Sequence, residues 1–130
     1  MKDELTVTLI APDRKLFEGK AQMVSLPGER AAFSVLKSHA PLVSSLEPGV
    51  VTIESEEGKK TFIIDSGFAE VKNNNVTVLV EGAMLQDEIN IEEEKKLLEE
   101  EIKKTTTSEK EYKTKEQNIL KYRARIRAVS

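Results

Sequence analysis

At 130 residues, 38% hydrophobic and 33% charged, the chain has room for one domain, or one domain with an appendage, and a composition unlike collagen or a wholly disordered acidic tail. Without cysteine it has no disulfide, zinc–thiolate site, cysteine nucleophile or iron–sulfur cluster. A formal net charge of −3 argues against nucleic acid as a partner, since such binders carry a basic excess.

The N-terminus reads Met1-Lys2-Asp3-Glu4-Leu5, acidic at once, without the basic start and apolar run of a signal peptide. Apolar runs such as Phe62-Ile63-Ile64 and Val78-Leu79-Val80 fall far short of the roughly 20 residues a spanning helix needs. The expectation is a chain with no targeting or transmembrane segment.

All six glycines and all four prolines precede Gln86, so strands and turns are expected before it and helix after it. Leu5-Thr6-Val7-Thr8-Leu9-Ile10 alternates and is rich in β-branched residues, which predicts a strand. Pro12-Asp13, Pro27-Gly28 and Pro48-Gly49 mark turns. Val50–Ile53 and Thr61–Ile64 flank Glu56-Glu57-Gly58 and read as a hairpin. A second hairpin joins Phe68–Val71 to Val76–Val80 through Lys72-Asn73-Asn74-Asn75, because asparagine tolerates the left-handed backbone of a tight turn. Residues 1–86 therefore predict a β-sandwich or flattened barrel.

Residues 87–130 predict an antiparallel helical hairpin, with helices at about 87–104 and 109–128. Asp87 or Asn90 suits the first N-cap, and Thr107 or Ser108 the second. Tyr112, Ile119 and Ile126 recur every seven residues as a short coiled-coil-like stripe. Residues 87–108 carry eight acids against four bases, a net of −4; residues 109–130 carry seven bases against three acids, a net of +4. Folded together the helices screen each other. Apart, the second offers a basic face to an acidic partner.

Catalytic motifs are scarce. The single histidine, His39, in Ser38-His39-Ala40-Pro41-Leu42, reads as a structural loop residue, and one histidine without cysteine makes no common zinc site. Neither a Gly-x-Ser-x-Gly elbow nor a phosphate-cradling glycine loop is present. Glu92-Glu93-Glu94 and Glu99-Glu100-Glu101 fan around a helix as a solvated face. Arg123 and Arg127, four apart on one helical face, are the best candidates to grip a phosphate or carboxylates, with Arg125 pointing elsewhere.

The ordered set Val24-Ser25-Leu26-Pro27-Gly28, Ser38-His39-Ala40-Pro41-Leu42, Leu46-Glu47-Pro48-Gly49-Val50-Val51-Thr52-Ile53, Gly67-Phe68-Ala69-Glu70-Val71 and Asn75-Val76-Thr77-Val78-Leu79 resembles the epsilon subunit of F-type ATP synthase, the delta subunit of mitochondria. Ile10-Ala11-Pro12-Asp13 and Leu16-Phe17-Glu18-Gly19 fit its first hairpin. The resemblance implies a β-sandwich followed by a helical hairpin, in a non-catalytic rotor subunit of the central stalk. It implies that the subunit holds gamma, sits on the c ring and couples proton flow to ATP synthesis. The location implied is peripheral, on the cytoplasmic face of a bacterial inner membrane or the plastid thylakoid. Glu29, Arg30 and His39 are the implied partner-binding residues of the sandwich. In regulating members the hairpin extends along gamma and blocks ATP hydrolysis, its basic residues approaching the beta subunits; here those are Arg123, Arg125 and Arg127.

Two departures stand out. Where the family has a Gly-x-x-Gly run with an acid inside, this chain has Ala31-Ala32-Phe33-Ser34, leaving Glu29 and Arg30 as the loop's charges. Some bacterial members bind ATP through Ile/Leu-Asp-x-x-Arg-Ala on the first helix plus arginines on the second. The aligned stretch here is Ile91-Glu92-Glu93-Glu94-Lys95-Lys96, so the corresponding nucleotide-binding set is Glu92, Lys95, Arg123 and Arg127. Lysine lacks arginine's planar fork, and the expectation is weak or no ATP binding and no other cofactor. The alternatives are a free-standing β-sandwich adaptor whose basic helix binds an acidic protein, and a small hydrolase built on His39.

Overall fold

The computed structural model describes residues 4–130; the opening Met1-Lys2-Asp3, on which part of the leader argument rests, lies outside the described residues. Among the described residues, ten strands form two five-stranded sheets. They are β1 (Leu5–Ala11), β2 (Arg14–Ala21), β3 (Met23–Leu26), β4 (Phe33–Leu36), β5 (Leu42–Leu46), β6 (Gly49–Ser55), β7 (Gly58–Ile64), β8 (Gly67–Lys72), β9 (Asn75–Val80) and β10 (Ala83–Leu85). One sheet runs β2-β1-β9-β8-β5 and the other β10-β7-β6-β3-β4. All pairs are antiparallel except β1 with β9, which run parallel.

The core lies between the sheets and follows the period of two. In β1, Leu5, Val7, Leu9 and Ala11 point inward while the threonines between them face out. Val76, Val78 and Val80 of β9 meet Val24, Val51, Ile53 and Phe62 from the other sheet's strands. The expected hairpins are present. Asn73 and Asn74 take φ of 50° and 61° between β8 and β9, as a tight turn matching strand twist requires. Glu56-Glu57 connect β6 to β7, with Gly58 at φ 124°. Pro12-Asp13 turn β1 into β2. Pro48, however, stands where the chain leaves one sheet for the other, since β5 and β6 belong to different sheets.

After β10 comes a single 3-10 turn, Gln86–Glu88, then the helices α1 (Ile91–Lys103) and α2 (Glu109–Val129). The first α-helix thus starts at Ile91, where Asn90 Oδ1 accepts the Glu93 N–H at 3.1 Å. Ser108 caps α2 by accepting the Glu111 N–H, and Glu111 in return accepts from the Thr107 N–H and hydroxyl. The heptad stripe is not buried along α2: Tyr112 is exposed, and the most deeply buried residue is Ala124. Its small side chain lets α2 lie close on β6 and β7. No helix among the described residues is long and apolar enough to cross a membrane.

Candidate functional site

The strands give the sandwich two ends. At one lie the β1–β2 turn and the loops at 27–32, 47–48, 65–66 and 81–82; at the other lie residues 37–41, 56–57 and 73–74. Seven-residue β6 separates them by about 20 Å at roughly 3.3 Å per residue.

Glu29 and Arg30 are exposed at the first end, where the Glu29 N–H donates to Ser45 O at 3.1 Å and the Glu47 N–H to Pro27 O at 2.9 Å. His39 sits at the opposite end. Ser38 holds φ 68° and donates its N–H to Asn74 Oδ1 at 2.7 Å, tying the loop to the β8–β9 turn. His39 itself lies 2.7 Å through Nδ1 from its neighbour's Ala40 O. These candidates therefore do not converge. Among the described residues no group of three or more histidine, aspartate or glutamate side chains could hold a metal.

The two outer sheet faces differ. On the sheet containing β1, Phe68 of β8 pairs with Leu79 of β9, and Leu79 with Ile10 of β1. Cross-strand partners share a face, so these side chains form one row. Phe68 is 58% exposed and Leu79 50%, while Val43 of β5, one row on, is 71% exposed. A shallow depression of about 390 Å³, lined by Pro12, Leu79 and Phe68 among others, runs from this row to the first end of the sandwich. Sequence reasoning passed over Phe68 and Leu79 as site residues. The available signal was the exposed phase of their strands' alternation.

On the other sheet the outer face is covered in part, where α2 crosses β6 and β7, while Leu36 of β4 and Val50 of β6 stay exposed. Phe62 and Ile64 of β7 point into the core, so Ile63 points outward, yet it is only 1% exposed. It pairs with Val50 and Met84, on the strands beside the path of α2. The helical hairpin shields it.

Within the hairpin, the hidden face of α1 carries acids at both ends, Glu94 and Glu101, with the half-buried Leu97 and Leu98 between them. Arg125 of α2 donates from Nη1 to Glu94 Oε1 at 3.2 Å and from Nη2 to Asp65 Oδ1, in the β7–β8 loop, at 3.1 Å. Among the described residues, Glu94 Oε2 and Arg125 Nε are buried without a partner. Glu101 is held below the usual carboxylate range by Lys104, 2.9 Å away, with Asn118 and Lys115 adding to it against the cost of burial. Glu111 is lowered likewise by its bonds from Thr107. Of the nucleotide set that the resemblance implies, Glu92, Lys95, Arg123 and Arg127 are all exposed, and Glu94 with Arg125 occupies the seam.

Comparison with known proteins adds to this geometry. Residues 4–86 match the family described as ATP synthase, Delta/Epsilon chain, beta-sandwich domain. The chain is 44% identical over 89 residues to the ATP synthase epsilon chain of Synechococcus elongatus, covering 68% of this chain and 65% of that relative. The matched stretch thus spans just under two thirds of that relative's length. To the chloroplastic ATP synthase epsilon chain of Porphyra purpurea it is 34% identical over 128 residues, 97% of this chain and 96% of the relative. In structure it is similar to a chain in the mitochondrial ATP synthase of Euglena gracilis (OSCP/F1/c-ring). The TM-score is 0.87 at 24% identity, covering 100% of this chain and 84% of the other. A central-stalk/c-ring structure of Tetrahymena thermophila mitochondrial ATP synthase matches with TM-score 0.79 at 14% identity, covering 99% and 98%. At these identities the structural matches speak for the fold, a sandwich followed by two helices.

Proposed function

This chain belongs to the ATP synthase delta/epsilon family, and from that premise we propose that it is a non-catalytic subunit of the central stalk of an F-type ATP synthase. Its sandwich holds the gamma subunit and meets the c ring, so that proton flow is coupled to ATP synthesis. The complex places it peripherally on the cytoplasmic face of a bacterial inner membrane, or on its plastid thylakoid counterpart.

The observation that carries this reading is the open apolar row of Ile10, Leu79 and Phe68, with Val43 beside it. Exposed apolar side chains gathered on one sheet face mark a docking surface. The hairpin packs on β6 and β7 of the opposite sheet and leaves this face open to gamma. The adjoining end of the sandwich carries Asp13, Glu29, Glu47 and Glu81 against Arg14 and Arg30, all exposed. That excess of acids suits basic polar loops on the membrane ring. Arg123 and Arg127 face solvent on the docked hairpin, so they are available to acidic stretches of the beta subunits once the hairpin extends.

Binding to purified gamma tests the first part. Phe68→Asp with Leu79→Asp should weaken it by about tenfold or more while the circular dichroism spectrum is kept. Undiminished binding would remove gamma from this face, and no binding by the unaltered chain would return the adaptor reading. For the hairpin, hydrolysis by the reconstituted catalytic complex should be suppressed by the full chain and released by Arg123→Glu with Arg127→Glu. Equal rates with both chains would make the hairpin passive.

A further inference from the structure

We propose that Arg125 is a split latch, whose two guanidinium nitrogens separately control the docking of the hairpin on the sandwich and the closure of α1 on α2. The proposal concerns the isolated chain and does not depend on what that chain binds.

The geometry is unusual for an arginine among carboxylates. A guanidinium commonly meets one carboxylate with two parallel bonds. Here the fork is divided: Nη2 holds Asp65 of the β7–β8 loop, 60 residues away in sequence, and Nη1 holds Glu94 of α1, 31 residues away. Arg125 meets each carboxylate through one oxygen, and among the described residues Arg125 Nε and Glu94 Oε2 are left buried and unpartnered. All three side chains are mostly buried, so water screens them little. Arg125 therefore joins three parts of the molecule: the sandwich, α2 and α1.

The rest of the interface is thin enough for this residue to matter. Beneath α2, Ala124 is small and Ile63 supplies the buried apolar contact face. At the helix end, Gln86 Nε2 donates to Ala128 O at 2.8 Å. The main packing partner of α1 is α2, so α1 stays in place only while the pair stays closed.

A split fork behaves differently from a bidentate one when a partner is removed. Without Asp65, Nη2 and Nε are free to turn toward the unpaired Glu94 Oε2. The helix pair then holds at least as well while α2 loosens from the sheet. Without Glu94, the fork turns to Asp65: α2 stays docked and α1 comes away. Without Arg125 both links fail, and two carboxylates are stranded near each other.

The test uses the full chain and two readouts. Its lack of cysteine makes a single introduced thiol an unambiguous reporter. Ile63→Cys, on the outer face of β7 where α2 packs, reports docking by its rate of thiol labelling, and backbone amide exchange along α1 reports closure. Val24→Cys, in the core between the sheets, reports global unfolding. Asp65→Asn should speed labelling at position 63 by about tenfold or more, with α1 exchange no faster. Glu94→Gln should speed α1 exchange with labelling at 63 unchanged. Arg125→Ala should speed both, with labelling at position 24 unchanged. Identical profiles for Asp65→Asn and Glu94→Gln, or labelling at 24 rising in step with that at 63, would overturn the proposal. So would an Arg125→Ala chain that changes neither readout. Should Ile63→Cys fail to fold, amide exchange along α2 in the cysteine-free chain takes its place under the same criteria.

Discussion

Replacing Gly67 by alanine should open the seam between β8 and β9 where the exposed apolar row begins. Gly67 stands opposite Val80 in the register. A Cβ there would lie 2.2 Å from Leu79 O and 3.0 Å from Val80 Cα. Both are backbone atoms of a central strand, so neither can swing aside. Reaching ordinary contact requires moving the strands apart by about 1 Å, an overpacking cost of about 1–3 kcal/mol. The stretched ladder adds about 1 kcal/mol for a hydrogen bond lost at that pair. The expected total is about 2–4 kcal/mol. Gly58 is the internal contrast: nothing lies within 4 Å of its would-be Cβ, and only its φ of 124° resists a side chain. Gly58→Ala should cost about 1–3 kcal/mol from backbone strain alone. Urea unfolding followed by circular dichroism reads both, as a shift in midpoint at constant slope. The two differ in heteronuclear NMR: Gly67→Ala should move the amides of Phe68, Leu79 and Val80, and Gly58→Ala only those of its own turn. A Gly67→Ala chain within 0.5 kcal/mol of the parent, with those amides unmoved, would refute the steric argument.

Leu9, fully buried in the central β1, should cost about 2–5 kcal/mol on truncation to alanine, measured by the same melts. Asn74→Ala removes both a residue at ease at φ 61° and the acceptor of the Ser38 N–H, for about 2 kcal/mol. Asn74→Gly should recover the backbone part and leave Ser38 unheld, visible as faster amide exchange at that residue. The lowered carboxyls of Glu101 and Glu111 set an acid response. A folded carboxyl titrating below its unfolded counterpart stabilises above the unfolded value, about 4.3, and that stabilisation is lost as pH falls through the folded one. The turn end of the hairpin should therefore loosen below about pH 4, read by amide exchange, with Glu101→Gln and Glu111→Gln flattening the response.

Much of the sandwich was legible because its turns announce themselves. Asn73-Asn74 and Gly58 mark positions where the backbone must go left-handed, and the strands on either side alternate. The short strands β4 and β5 were not legible. Four or five residues carry too little period, and the chain passes from one sheet to the other at Pro48, after β5, for reasons set by partners far along the chain. The continuous apolar run Phe62-Ile63-Ile64 is the mark of a strand covered on both faces, but it does not say what the outer cover is, here α2. In the hairpin, spacing drew attention to Arg123 and Arg127, which share a helical face. That face looks outward, and the buried contacts belong to Arg125, whose carboxylates lie 31 and 60 residues away. Period along one helix identifies which residues travel together, but not which side meets the rest of the molecule.

The parallel pairing of β1 with β9 has a consequence for the order of assembly. Thr6 has Asn75 as its ladder partner, so β1 waits through the synthesis of seven further strands for β9 before its sheet can be completed. On a ribosome the β1–β2 hairpin can form early, but with an open edge, and loop closure over so long a stretch is slow. Ile63 emerges in that same interval, well before α2 has been synthesised to cover it. The nascent sandwich thus passes through a stage in which its sheets can close while Ile63 is still bare, and that stage ends only when α2 has been made and has folded over β6 and β7.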